Sequence, residues 1–369
     1  MKALFQRDRG LHLWLLTDLG VLMLFWLTRG QRAWMNALAD HVTNPLRQAL
    51  GRLCAHTSLS VMEVLCFLLV LLCAGYLIFG IRSIWRADKE RRLHQAYRLL
   101  LGAVCAGLTI YGGFCLLWGV NYSIDSFQDR SGIREQPVTA EELEQVTAYF
   151  AQQLTESSGA VRRDALGCFA EPREEILKHS PAVYDAVEQQ FPFLEQEDPA
   201  VKAVRCSKIM SALDFTGIYC PFTGESSVNM DAPAALLPAT AAHELAHQRG
   251  ISSEQECNFL AILASTTSGD PAYQYSGWLM GWIYLGNALC ATDADAWAAL
   301  WERLPEPVRA DLQAQNAYWT HYKNQPVRRA SNTVYDRFLK SYGEPQGIRT
   351  YETVVNLLVT YYKISAAGM

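Results

Sequence analysis

His243, Glu244 and His247 form an H-E-x-x-H motif within the alanine- and leucine-rich segment 232–268. Alanine and leucine favour helix, and residues four apart lie on one helical face, so both imidazoles are expected to point the same way. That arrangement can hold one zinc ion. Glu244 lies about 100° around the helix from His243, so we expect it to take a proton from metal-bound water rather than to bind the metal.

A hydrolytic zinc ion needs a third protein ligand and keeps a fourth position for water. Gly250 is placed to end the first helix, and Glu254 begins a second, apolar helix after two serines that can cap it. Helices joined by so short a turn are expected to be antiparallel neighbours, which would bring Glu254 back to the two histidines. Glu256 is the alternative ligand, but its side chain should point about 200° away from that of Glu254.

Two further patterns accompany the motif: Pro221 to Glu225 reads P-F-T-G-E, and Glu254 to Phe259 reads E-Q-E-C-N-F. With H-E-L-A-H-Q-R-G at His243 to Gly250, the sequence resembles a bacterial family of membrane-anchored zincin-like proteins over nearly its whole length. The spacing Glu254-x-x-x-Asn258 also resembles the gluzincin zinc metallopeptidases. The resemblance implies that this second helix supplies the third zinc ligand, and that Asn258 orients a ligand histidine.

Three apolar segments occur in the first 120 residues, at 11–28, 59–81 and 99–120. Each is close to the ~20 residues that cross a ~30 Å hydrocarbon core. Asp18 interrupts the first segment, and we expect this acid to face the helix bundle or to lie near the interface. The chain has 369 residues, of which 50% are hydrophobic, which suits a membrane region joined to one globular domain. Its net charge of −5 does not favour nucleic-acid binding.

Basic residues between the second and third segments predict the orientation of the chain. They are Arg82, Arg86, Lys89, Arg91, Arg92 and Arg98. The positive-inside rule places this loop and the basic N-terminus in the cytoplasm. We therefore predict a multi-pass protein of the bacterial cell membrane, with residues 1–120 as the transmembrane region and 121–138 as a linker. Residues 139–369 would form the extracytoplasmic domain, while the loop 30–58 would lie on the membrane or on that domain.

The fold expected for the chain is mainly α, with three transmembrane helices followed by a zincin-like α+β metallohydrolase domain that carries a small edge sheet. Thr139 and Glu142 form a capping box that opens the domain's first helix. Short aromatic and β-branched runs predict a hairpin within 215–230. By the resemblance, residues 225–230 are the edge strand that pairs with an extended substrate through main-chain hydrogen bonds. Residues 273–290 are apolar, but their glycines favour a core helix over a fourth span.

Five further side chains are candidates for substrate binding or oxyanion stabilisation. Tyr219 and Glu225 lie on the predicted hairpin, where they either contact substrate or are satisfied polar groups of the sheet. A zinc hydrolase stabilises its oxyanion with the metal and a Tyr, His or Arg donor. His321, Tyr335 and Arg349 are candidates for that donor, and the sequence does not choose among them.

Six cysteines lie outside the three apolar segments. Their even number permits disulfides, with Cys206 and Cys220 as the first candidate pair, whereas free buried thiols are the default expectation. Cys257 stands where relatives more often have alanine, and the two small side chains are expected to be interchangeable there.

These features together predict a membrane-anchored metallopeptidase that uses Zn²⁺. Zinc lowers the pKa of its bound water towards ~7. Glu244 takes a proton as the water attacks a carbonyl, and returns it to the leaving amine. A catalytically silent or structural-zinc binding module, or a sensory module, is one alternative, and a cell-wall amide hydrolase is another. The expected partners are membrane lipid and a peptide, protein or cell-wall peptide substrate, and not nucleic acid.

Overall fold

A computed structural model of the chain describes residues 7–197, 199–323, 325–342 and 351–368. These residues are mainly helical and contain one three-stranded sheet. They form two compact units. The first unit contains the described residues up to 49, together with 61–124 and 221–223; the second contains 50–60, 125–220 and the described residues from 224 onwards.

Three long helices dominate the first unit: α1 (Arg9–Thr28), α4 (Val61–Arg86) and α5 (Lys89–Leu117). Within the described residues, these are the helices that are long and apolar enough to cross a membrane. The expected segments are therefore confirmed as long apolar helices. However, α4 and α5 also include nearly all of the basic residues that were expected to form a loop between them. Helix continues there because Arg, Lys and Glu are good helix formers outside the apolar stretch.

Shorter helices complete the first unit. They are α2 (Arg32–Leu38), a π-helical turn (Ala39–Thr43), α3 (Asn44–Cys54) and a 3-10 turn (Gly119–Ser123), with α3 grouping with the second unit from residue 50 onwards. Asp18 of α1 accepts a hydrogen bond from Thr109 Oγ1 of α5, at 3.0 Å from its nearer oxygen. The acid within the first apolar segment thus faces a neighbouring helix, as expected.

Helices also make up most of the second unit. They are α6 (Phe127–Ser131), α7 (Ala140–Ser157), α8 (Arg173–His179), α9 (Asp185–Gln190), α10 (Ser207–Ala212), α11 (Leu237–Gln248), α12 (Glu254–Thr267), α13 (Pro271–Thr292), α14 (Ala294–Arg303), α15 (Glu306–Tyr322), α16 (Pro326–Ser341) and α17 (Tyr351–Ala367). The predicted capping box is present at Thr139 and Glu142. Helix α6 lies inside the expected linker, and its Phe127 is fully buried, so part of that segment belongs to the core.

The sheet has the order β1 (Lys202–Val204), β3 (Glu225–Asn229), β2 (Gly217–Cys220). Strands β2 and β3 form the predicted hairpin, and β1 pairs with β3 in parallel. The expectation that residues 225–230 form the edge strand is therefore wrong, because β3 is paired on both sides. Three residues of β1 are too short a run to be recognised as a strand in the sequence. The two edge strands of the sheet are β1 and β2.

Lys202 ties the sheet to residues 50–60, which belong to the same unit. Its ammonium is buried and donates to Glu225 Oε1 (2.5 Å), to the carbonyl of Cys54 (2.7 Å) and to that of Leu59 (3.0 Å). All three protons of the ammonium are thus used, and the buried carboxylate of Glu225 has its counter-ion. The short segment before α4 is a structural part of the second unit.

Helix α13 lies in the core of the second unit and packs against α7, α11, α12 and α14. Its glycines allow close approach: a Cβ at Gly277 would lie 2.6 Å from the Ser265 side chain, and one at Gly281 would overlap the buried ring of Phe150. The apolar residues 273–290 therefore form a core helix, and Gly277 and Gly281 are close packing contacts within it.

Two alanine substitutions in α13 test this packing. Gly281→Ala is expected to lower the free energy of unfolding by about 1–3 kcal/mol, because the new methyl group overpacks the site against Phe150. Gly286→Ala is the matched control, since its Cβ would have an ordinary contact, 3.4 Å from Trp297 Nε1. It should be neutral or stabilising by up to about 1 kcal/mol through helix propensity. Thermal unfolding of the full chain in detergent compares the stabilities of the two variants. Equal changes in stability would contradict the proposed packing role of Gly281.

Candidate metal centre

Helix α11 carries the H-E-x-x-H motif in a buried environment. Almost all of its residues are buried, and the hydroxyl of Tyr184 donates to the carbonyl of Ala242 on one side of the helix (2.9 Å). His243 and His247, one turn apart, place their Nε2 atoms 3.1 Å from each other. The local sequence thus sets both imidazoles on one face, as predicted from their spacing.

A glycine turn brings the second helix back to the motif. Gly250 has φ +87°, a left-handed conformation that suits glycine. Its N–H donates to the carbonyl of His247 (2.8 Å), and the next amide, that of Ile251, donates to Ala246 (3.3 Å). These bonds satisfy carbonyls at the helix end. Helix α12 then begins at Glu254 and packs on α11.

Glu254 completes a group of three potential metal ligands. Its Oε2 lies 3.2 Å from His243 Nε2, and its Oε1 lies 3.6 Å from His247 Nε2. Tetrahedral zinc with bonds of ~2.0–2.1 Å to N and O donors requires donor atoms about 3.3 Å apart, so the observed separations of these atoms fit. Among the described residues, this is the group of His, Cys, Asp or Glu side chains that could hold a metal ion.

Glu256, the alternative ligand, has a structural role instead. Its carboxylate accepts hydrogen bonds from the backbone amides of Phe127 (3.0 Å) and Gln128 (3.1 Å) at the start of α6. The side chain is 2% exposed. The structure brings Glu254, and not Glu256, to the histidines.

The second nitrogen of each imidazole is held by an oxygen acceptor. His243 Nδ1 donates to Asn258 Oδ1 (2.9 Å), and His247 Nδ1 donates to the carbonyl of Ile251 (2.8 Å). With the proton on Nδ1, the Nε2 lone pairs face the proposed metal position. Asn258 stands where the resemblance implied. The Cys257 thiol lies 3.3 Å from His247 Nδ1, and burial raises its pKa to about 12, so it is a neutral neighbour.

Charge at the centre favours a cation. Although burial alone favours the neutral acid, the two imidazoles hold the pKa of the Glu254 carboxyl well below its usual range. The centre therefore keeps a half-buried anion beside two nitrogen donors, which is the chemistry of a divalent metal site.

Glu244 has the environment of a proton acceptor. Its side chain is 4% exposed, and its Oε2 lacks a hydrogen-bond partner within the described part of the chain. Burial raises the pKa of its carboxyl to about 6, against the opposing effect of the two imidazoles. A carboxylate with a pKa close to neutral and a free oxygen suits general-base chemistry.

Gly217 is a residue that sequence reasoning missed. It begins β2, and a Cβ there would overlap the carboxylate of Glu244. Ser226 of β3 donates to the carbonyl of Glu244 (2.9 Å). The hairpin thus fits closely against the motif. Its only sequence signal was a glycine at the start of a β-branched run, which by itself indicates a turn as readily as a close contact.

Tyr335 is the one candidate oxyanion donor that the described residues bring to the centre. Its hydroxyl donates to Glu254 Oε1, and its ring packs edge-on against Phe215 at 5.8 Å. Helix α16 is held in place by Asp214, which accepts from Arg328 (2.7 Å) and Asn332 (2.9 Å). Residues 328, 332 and 335 share one helical face, so this face of α16 lies against the loop before β2.

The other candidates are placed as follows. Glu225 is buried and paired with Lys202, the arrangement expected of a satisfied polar group of the sheet. Tyr219 is buried on β2, on the same strand face as Gly217. His321 is exposed near the end of α15, where its ring packs on Tyr322, and no described contact joins it to the centre. Arg349 lies outside the described residues.

Cys206 and Cys220, the first candidate disulfide pair, are not joined by a disulfide.

Comparison with protein-family models matches residues 39–359 to DUF3810, which is described as a protein of unknown function. No curated protein and no solved structure matches the chain. The matched region contains the H-E-x-x-H helix, Glu254 and Tyr335, together with α4 and α5. Because this region covers most of the sequence, the chain belongs to the DUF3810 family.

Proposed function

We propose that this protein is a membrane-anchored, zinc-dependent metallopeptidase with a zincin-like second unit. The observation that carries the proposal is the arrangement of His243, His247 and Glu254 with the carboxylate of Glu244 beside them. The separations of the ligand atoms suit zinc, and both imidazoles have their Nδ1 protons engaged elsewhere.

The residues present suggest a division of labour. A bound zinc ion supplies Lewis acidity at the meeting point of the three ligands. The carboxylate of Glu244 takes a proton from the attacking water and delivers it to the leaving amine, as its raised pKa allows. Asn258 and the Ile251 carbonyl keep the imidazole rings oriented, and Tyr335 holds one oxygen of Glu254.

The position of β2 supports an extended peptide as the substrate. This strand is at the edge of the sheet, and its first residue, Gly217, lies against Glu244. A peptide added to β2 by main-chain hydrogen bonds would run past the proton acceptor without needing a particular sequence. In this proposal β2, and not residues 225–230, is the strand that pairs with the substrate.

The basic residues around the junction of α4 and α5 support an orientation with that junction in the cytoplasm. With three spans, the chain after α5 would then lie outside the cytoplasm. We propose an extracytoplasmic location for the metal centre on this basis.

A structural-zinc module is the second candidate, and one contact favours it. The hydroxyl of Tyr335 donates to Glu254 Oε1, and in this candidate it would limit access to the fourth position of the metal. A closed fourth position is typical of structural zinc. The buried Glu244, with a free carboxylate oxygen, supports the hydrolytic proposal instead.

The metal prediction is direct. Purified full-length chain is expected to contain about one zinc ion, as in a site with three protein ligands. His243→Ala and Glu254→Ala should each abolish stoichiometric zinc, measured by elemental analysis after gel filtration. His321→Ala, which removes an exposed imidazole, is the control and should retain the metal. Removal of zinc with a chelator should lower the midpoint of thermal unfolding. Equal zinc content in all variants would rule out this centre.

Activity depends on Glu244 in this proposal. Glu244→Gln should keep zinc and lose peptide hydrolysis by at least about 100-fold, because the amide cannot accept the proton. Glu174→Gln, at an exposed position of α8, is the matched control and should not change the rate. The rate is measured with a mixture of unstructured peptides by mass spectrometry. Zinc retained in a chain that hydrolyses no peptide at all would favour the structural-zinc candidate.

Tyr335→Phe tests the contact with Glu254. Loss of the hydroxyl should weaken zinc affinity by about 10–100-fold, the range found for groups that orient metal ligands. Tyr361→Phe removes a hydroxyl that donates to Gln190 (3.0 Å) and serves as the control. Competition with a chromophoric chelator measures both affinities, and an unchanged affinity for Tyr335→Phe would show that the hydrogen bond does not position Glu254.

A further inference from the structure

The junction of α4 and α5 contains a cavity of about 380 Å³. Helix α4 ends at Arg86 and α5 begins at Lys89, so the two helices turn within two residues. The side chains of Arg82 and Arg86 reach the cavity from α4, and that of Arg91 reaches it from α5. This arrangement places three arginines in the lining of one cavity, where α4 ends and α5 begins.

Positive charge in this cavity is not neutralised by the protein. Asp88 is the single carboxylate in the lining, against the three guanidinium groups. Within the described residues, none of these three groups has a hydrogen-bond or ion-pair partner. Neighbouring arginines differ: Arg92 donates to the carbonyl of Ala87 (3.1 Å), and Arg98 pairs with Asp8 (3.2 Å).

Apolar surface adjoins this charge. No residue in the most apolar stretch of α4 is buried. Phe79, which lines the cavity, is 78% exposed, and Trp85 is 77% exposed. A ligand that suits all of these features has an anionic head and an apolar tail.

We propose that this cavity binds the phosphate headgroup of an anionic phospholipid. Guanidinium groups match phosphate oxygens in a bidentate manner, and basic pockets between membrane helices bind such headgroups. The acyl chains would lie along the exposed apolar side of α4. Inorganic phosphate shares the chemistry of the head but has no apolar part to contact Phe79.

Lipid binding by the full-length chain in detergent tests this proposal. Titrations with dioleoyl phosphatidylglycerol and dioleoyl phosphatidylcholine are followed by native mass spectrometry. The wild type is expected to bind the anionic lipid at least tenfold more tightly. The triple variant Arg82→Gln, Arg86→Gln, Arg91→Gln should lose that preference. A triple variant that removes the same charge outside the cavity, Arg7→Gln, Arg9→Gln, Lys89→Gln, should keep the wild-type preference within about twofold.

Three outcomes would overturn the proposal. The first is a wild type without preference for phosphatidylglycerol, and the second is an equal loss in both triple variants, which would indicate general charge attraction. The third is complete displacement of the lipid by millimolar inorganic phosphate, which would assign the cavity to the free anion. If circular dichroism shows that the triple cavity variant is unfolded, the single variant Arg91→Gln is used instead. It should weaken phosphatidylglycerol binding about fivefold, and an unchanged affinity counts against the site.

Discussion

A half-buried carboxylate held between two imidazoles is the interaction on which the second unit depends. The oxygens of Glu254 lie 3.2 Å and 3.6 Å from the two Nε2 atoms, and the imidazoles hold the pKa of its carboxyl well below its usual range against the opposing effect of burial. An anion in such a place is costly unless a cation or hydrogen-bond donors compensate it. The surrounding contacts serve this requirement: the Gly250 turn sets the approach of α12, Asn258 and Ile251 fix the rings, and α16 supplies the hydroxyl of Tyr335.

Local periodicity was enough to predict the parts of the centre that lie close together in sequence. The i, i+4 spacing of the histidines, the glycine turn and the helix start at Glu254 are all short-range features, and the structure assembles them as that spacing implies. The long apolar helices were equally accessible, because hydropathy over ~20 residues is a strong signal. Their extension through the basic loop was missed, since hydropathy marks apolar content and not the helix end.

Contacts between distant parts of the chain could not be predicted in this way. Strand β1 has three residues and no pattern of its own, yet it turns β3 into the central strand. Gly217 approaches Glu244 only because the hairpin folds onto α11. Tyr335 was one of three equivalent donor candidates, and only the packing of α16 against Asp214 distinguished it. Such choices rest on tertiary packing, which leaves no short-range mark in a single sequence.

The ammonium of Lys202 has a practical consequence for work with the isolated metal-binding part. Two of its three acceptors, the carbonyls of Cys54 and Leu59, come from residues that precede α4 in the chain. A recombinant fragment that begins just after α5 would lack both carbonyls. The buried ammonium of Lys202 would then keep only the carboxylate of Glu225 as its acceptor. The unit is therefore discontinuous, and a soluble version would need residues 50–60 grafted back through a designed connection rather than a simple truncation.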